Sequence, residues 1–187
     1  MTIETSLTQG ASFPAFANHP GYSRMFAPDR LTIGIFLPLR FYQGDMSVLA
    51  GQAALVEEID RQDFAAVWVR DVPLHDPSFG DAGQVFDPFT YLAFLAARTK
   101  RVALATGSTI FSLRHPIDAA KSAFTIDQLS GGRLVLGIAS GDRPVEFPAY
   151  GVEWAERAGI ENLKQRLENA DHLREQANRL LQLLLVA

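Results

Sequence analysis

An apolar run followed by a stretch with helical spacing occurs four times along this chain, and that repetition constrains the fold more than any other feature. The runs are Leu31–Leu39 (LTIGIFLPL), Ala65–Val69 (AAVWV), Val102–Ile110 (VALATGSTI) and Arg133–Ala139 (RLVLGIA). They are continuous rather than alternating, so both of their faces are expected to be buried. Such strands belong to a parallel sheet covered by crossover helices. The crossovers are right-handed in ~98% of known cases. Two architectures satisfy the pattern: an open doubly wound sheet, or a (β/α)8 barrel of which half is present. The alternation alone leaves both open.

Local signals mark the helix ends. Ser47 precedes VLAGQAALVEEIDRQ. Asp87 is an N-cap with Pro88 at the first helical position of the next helix, FTYLAFLAARTK. Pro116 opens IDAAKSAFTIDQLS, and Gly131-Gly132 closes it. A polar loop rich in Gly, Pro and Asp spans Arg70 to Phe86. Residues 1–30 have neither period and read as an extended N-terminal arm, with residues 1–12 equally consistent with a disordered leader. From Ile160 to Ala187 there is no Gly, Pro or aromatic residue. There Leu163, Leu167, Ala170, Leu173, Ala177, Leu180 and Leu184 recur at spacings of three and four. That spacing predicts a long amphipathic helix over 158–187, packed on the sheet or mated to another chain. The expected organisation is an arm (1–30), a parallel α/β domain (31–157) and this C-terminal helix (158–187).

Composition narrows the function. The net charge of −4 comes without a basic block, so nucleic acid is not an expected partner. No cysteine is present, which excludes disulfides and thiolate metal sites. His19, His75, His115 and His172 are scattered, so no metal site is expected. No apolar run approaches membrane length, and no signal-peptide pattern opens the chain. A cytoplasmic protein is expected.

Phosphate-loop, HExxH, GxSxG and GxGxxG motifs are absent. In parallel α/β folds ligands bind at the carboxyl ends of the strands. Those ends carry Pro38, Leu39 and Arg40; then Arg70 and Asp71; then Thr106, Gly107, Ser108 and Thr109; then Ser140, Gly141, Asp142 and Arg143. Small residues let a flat ligand approach the backbone, and exposed N–H groups there accept a phosphate or ring carbonyl. The same glycines also serve simple turns. His115 reads as a cap or packing residue beside Pro116, Asp118 and Asp127 as helix-face residues, and Arg133 as the partner of a carboxylate at the amino end of the sheet.

The stretch HPIDAAKSAFTIDQLSGGRLVLGIASG (His115–Gly141) resembles the signature segment of the bacterial luciferase-like flavin-dependent monooxygenases. VALATGSTIFSLRHP is similar to the third strand of that family. NHPGYSRMF and RDVPLHDPSFGDAGQVFDPFTYLAFLAA resemble a luciferase-type oxidoreductase subgroup. The likeness runs from about Leu31 to Val152 and fades after Arg157.

The resemblance implies the N-terminal half of a (β/α)8 TIM-type barrel. It implies reduced FMN or a deazaflavin at the carboxyl ends of the strands, used with oxygen on a small organic substrate. It puts a non-prolyl cis peptide at Gly107-Ser108, under the flavin ring, and sets Ser140 and Gly141 along the flavin phosphate or ribityl chain; with the strand-end residues Thr106 and Asp142 these are the candidate cofactor-binding residues. The family's catalytic histidine after strand 2 falls near Asp71, which becomes the candidate acid or base. A full barrel needs about 250 residues, so strands 5–8 are missing from these 187. Exposed sheet edges and an exposed inner face are expected to call for a homo-oligomer, a partner chain, or closure by the long C-terminal helix. The alternative expectation is a non-catalytic half-barrel that associates through those edges.

Overall fold

The computed structural model describes residues 18–38, 51–74, 76–79 and 86–157. Outside them lie most of the expected arm, the predicted cap at Ser47, Leu39 and Arg40, His75, and the amphipathic segment 158–187.

Strands β1 (Gly34–Phe36), β2 (Ala66–Val69), β3 (Ala103–Thr106) and β5 (Leu134–Val135) form one sheet in the order β1-β2-β3-β5. Every pairing is parallel. Strand β4 (Thr109–Ile110) pairs in parallel with β6 (Ile138–Ala139) in a separate two-stranded sheet. The third and fourth predicted strands are therefore each broken in two. The first break holds the Gly107–Ser108 peptide, which is cis, as the resemblance implies.

The strand order decides between the two architectures. A doubly wound sheet reverses its order at a switch point. Here the four strands of the main sheet follow one another in sequence order without reversal, which is the single winding of a barrel.

Helices α2 (Gln52–Arg61), α3 (Pro88–Arg98) and α4 (Pro116–Ser130) follow the strands as predicted. Asp87 caps α3 by accepting the Thr90 backbone N–H at 2.9 Å, with Pro88 at the first turn. Gly131 ends α4 in the left-handed region at φ 71°. The helices pack on one sheet face, where Val67, Val69 and Leu104 meet Val56, Leu92, Leu95 and Ile126.

The other face is the barrel interior. Register aligns Phe36, Trp68, Ala105 and Val135 in one row and Gly34, Ala66 and Ala103 in the next. Ala66, Ala103 and Ala105 are buried, because Trp68, Val135 and Met25 pack against them. The inner face is thus less open than a bare half-barrel suggests. Large apolar side chains are exposed at or just before β1, at Leu31 (89%), Ile33 (56%) and Phe36 (54%).

Three expectations need correction at the amino ends of the strands. Residues Pro20–Met25, read as extended arm, form a short helix, α1. The His19 imidazole Nδ1 caps it by accepting the Tyr22 N–H, and Nε2 lies 3.2 Å from Asp127 Oδ1. Gly21 donates its N–H to Gly132 O, and a Cβ on Gly21 would sit 2.6 Å from Arg133 O. Close docking of α1 therefore requires that glycine. Asp127 is in turn a tether for α1 rather than a plain helix-face residue.

Arg133 pairs with carbonyls, not with a carboxylate. It donates to Ala96 O, Thr99 O, Val102 O and Ser130 O, and to Thr99 Oγ1. These include carbonyls from the last turn of α3 and its exit, which have no partner inside the helix. The carboxylate nearby, Asp60, serves backbone N–H groups instead, accepting from Lys100, Arg101 and Val102.

Candidate functional site

The carboxyl ends of the strands gather the residues that the sequence singles out. Thr106 ends β3, and its hydroxyl donates to Gly137 O at 2.7 Å while accepting the Gly137 N–H at 3.0 Å. A Cβ on Gly137 would overlap Thr106 O. This clasp holds the two broken strands together where both change sheets. The Thr106 side chain is fully buried, and its hydroxyl both donates and accepts within the clasp.

Gly107 follows. Its N–H donates to Val69 O at 2.8 Å, and a Cβ there would lie 2.7 Å from Phe36 Cζ and 3.1 Å from Trp68 Cε3. The backbone of the cis peptide therefore abuts two aromatic rings. Those rings stack on each other, with centroids 5.7 Å apart and planes at 19°. Ser108 is half-buried beside them.

Ser140 and Gly141 follow β6 and are half-buried, while Asp142 is exposed. The Ser140 carbonyl accepts the Ser112 hydroxyl at 2.6 Å. Gly141 sits at φ 89°, and a Cβ would lie 2.8 Å from Ile110 Cγ2 and 3.0 Å from Phe147 Cζ. Both the backbone angle and the crowding require glycine. The loop is held from below by Phe147, which packs edge-on against Trp154 with centroids 4.8 Å apart.

Asp71 follows β2. Its side chain is 2% exposed. It accepts three donors: the Ile110 backbone N–H at 2.9 Å, Arg114 Nε at 3.1 Å and Arg114 Nη2 at 2.8 Å. Arg114 Nη2 also reaches Asp87 Oδ2 at 3.2 Å. Arg143 is buried, with its guanidinium 4.3 Å above the Phe79 ring. Burial pushes the Glu146 carboxyl up to about 7. His115 occupies the N-cap position of α4, but its side chain makes no capping bond and lies exposed, 3.9 Å from Asp118. Among the described residues, no cluster has the makings of a metal site. Nor is any described helix long and apolar enough to cross a membrane.

Four residues here escaped the sequence reading. Phe36 and Trp68 were legible in principle, because period-two spacing along β1 and β2 aims both at the inner face. Arg114 and Glu146 carried no such signal: one lies in the irregular stretch FSLRHP, the other within the mostly apolar VEFPAY.

The family model described as luciferase-like monooxygenase matches residues 31–175, and the chain belongs to that family. The match continues past Arg157, where the resemblance was expected to fade. The 4-hydroxyprotoasukamycin monooxygenase of Streptomyces nodosus subsp. asukaensis is 30% identical over 130 residues, covering 68% of this chain and 34% of that protein. The oxygenase component of the flavin-dependent trigonelline monooxygenase of Acinetobacter baylyi is 37% identical over 93 residues, covering 50% of this chain and 24% of that protein. The crystal structure of the monooxygenase RslO1 from Streptomyces bottropensis superposes with a TM-score of 0.59 at 28% identity, covering 76% of this chain and 41% of that one. The match thus spans between about a quarter and a third of the length of these curated relatives. Its fold is half of their parallel α/β barrel.

Proposed function

We propose that this chain supplies the flavin-holding strand ends of a luciferase-like monooxygenase acting on a small organic substrate with oxygen. The observation that carries this reading is the cis Gly107–Ser108 peptide lying against the Phe36–Trp68 stack. A flat tricyclic ring fits such a floor, because Gly107 presents backbone without a Cβ and the neighbouring rings are apolar and planar. Ser108, Ser140 and Gly141 offer half-buried hydroxyls and backbone at the adjoining rim, suited to the ribityl chain or phosphate of FMN or of a deazaflavin. Asp142 lines its outer edge.

When bound in reduced form, the flavin supplies the electrons that activate oxygen. The chain's own contribution is to orient the ring and exclude water from one of its faces. Asp71, the expected acid or base, is read here as a positioning residue. With three donors on its carboxylate, it ties the end of β2 to Ile110 and Arg114 at the base of the rim. Titration of the purified chain with FMN, oxidised and reduced, and with a deazaflavin tests the reading; absence of binding to all of them overturns it.

The exposed β1 edge favours a second reading. Leu31, Ile33 and Phe36 are exposed at or just before β1, the end strand of the sheet among the described residues. A half-barrel without activity of its own, associating with a second copy or a partner chain through that edge, accounts for them. Sedimentation as a stable monomer counts against it.

A further inference from the structure

Glu146 opens the four-residue helix α5 (Glu146–Ala149) and is fully buried. Neither carboxylate oxygen makes a hydrogen bond of normal geometry. On β4, the Thr109 hydroxyl is likewise buried and unpartnered. Next to Thr109, Ile110 packs on Phe147, the residue after Glu146. The charged and titratable groups around Glu146 come from several elements. Arg143 and the Leu74 backbone N–H favour its ionised form, while Asp71 and Asp142 oppose it. Tyr150, at the end of α5, lies within its field. A buried carboxylate lacking good donors is costly, and the group escapes by binding a proton.

The position of Glu146 gives that proton a consequence. Its backbone N–H donates to Arg143 O at 3.2 Å, closing the Ser140–Arg143 loop from its far end. Phe147 fills the space beneath Gly141. We infer that Glu146 is a positioning residue whose protonated form holds the Ser140–Arg143 loop in place at the strand ends. Ionisation puts a buried charge beside Asp71 and Asp142, so α5 must shift to bring water or Arg143 onto the carboxylate. Gly141, packed on Phe147, moves with it. The consequence for flavin rests on the proposed function above; the coupling of Glu146 to the loop does not.

The test uses the whole chain and the variant Glu146→Gln, which mimics the protonated acid. In wild type, the Glu146 carboxyl 13C resonance is expected to titrate near pH 7, and the Ser140 and Gly141 amide resonances to move with the same midpoint. A midpoint near the ordinary glutamate value of 4.5, or amides that stay still while Glu146 titrates, overturns the inference. Oxidised FMN affinity is expected to weaken by roughly threefold or more between about pH 6 and pH 8, beyond any change in Glu146→Gln. The FMN phosphate titrates near pH ~6 in both proteins and cancels from that comparison. Equal pH profiles in the two proteins overturn the effect on flavin. A chain that binds no FMN, yet shows the coupled titration, overturns the flavin reading and leaves the loop coupling standing. If the variant fails to fold, the wild-type titration alone decides.

Discussion

Arg114 grips Asp71 through both Nε and Nη2, at 3.1 and 2.8 Å, from the far side of the β3–β4 break. The same carboxylate takes the Ile110 N–H. Removing its charge takes the bidentate partner away from a half-buried guanidinium, which keeps Asp87 at 3.2 Å. Asp71→Asn is expected to lose roughly 2–4 kcal/mol in urea denaturation. Arg114→Lys is expected to lose less, since an ammonium keeps the charge but not the fork. If Asp71 were instead a proton-transfer group, Asp71→Asn would keep its stability and lose turnover, so the two measurements together assign its role.

Asp87 serves two partners, the first turn of α3 and Arg114. Burial works against its charge, but the Thr90 N–H and hydroxyl and Arg114 outweigh it and hold the carboxyl below its ordinary 3.8. A folded pKa below the unfolded one contributes stability above the ordinary carboxylate range, which is lost as pH falls through the folded value. Asp87→Ala is expected to cost about 1 kcal/mol near neutrality. The gap between variant and wild type should narrow below about pH 4, as a pair of acid-denaturation curves would record.

Gly107 and Gly137 make opposite predictions, although each is crowded. A methyl at Gly137 meets backbone, the Thr106 carbonyl, which cannot yield without breaking the clasp. Gly137→Ala is expected to lose more than about 3 kcal/mol. A methyl at Gly107 meets the rings of Phe36 and Trp68, and Phe36 is half exposed and free to swing. Gly107→Ala is expected to lose about 1 kcal/mol but to weaken flavin binding at least roughly tenfold, because the displaced ring occupies the proposed floor. Thermal melts and flavin titration separate the two.

The fold was largely legible because its signals are local. Asp87-Pro88, Pro116 and Gly131-Gly132 mark helix ends through backbone chemistry that needs no tertiary partner, and α3 and α4 begin where those residues place them. The breaks in the third and fourth strands were invisible, since each run stays apolar across the change of sheet. Helix α1 was missed because six residues carry too little periodicity; its docking depends on Gly21 against Arg133 and on His19 near Asp127. At the site, the family likeness led to the cis peptide at Gly107. The commitments of Asp71 and Thr106 to Arg114 and Gly137 are long-range pairings that no local pattern encodes.

Glu146 is expected to contribute to the pH dependence of stability near neutrality. Its folded pKa, raised to about 7, stands above the ordinary 4.5. For a raised pKa the contribution is fully present below the unfolded value and is lost as pH rises through the folded one. Wild type is therefore expected to lose more stability than Glu146→Gln between about pH 5 and pH 8. Urea midpoints at several pH values measure this. A wild-type profile as flat as that of the variant would place Glu146 in contact with donors or solvent.

The β1 edge yields the last prediction. Leu31 and Ile33 are exposed and lead into β1, which among the described residues has a strand neighbour on one side. Such an edge is a template for another strand, and a lysine on it is a common natural block. Their side chains contribute little to the fold, so Leu31→Lys and Ile33→Lys are each expected to change stability by no more than about 0.5 kcal/mol. If the edge is where a second copy docks, wild type sediments above the monomer and the double variant returns to it. Flavin binding then discriminates further. A floor completed by the second copy loses affinity when the edge is blocked, whereas one built within a single chain, from Gly107, Phe36 and Trp68, keeps it. A monomeric wild type that does not bind a hydrophobic dye would mean that the edge is covered from within the chain.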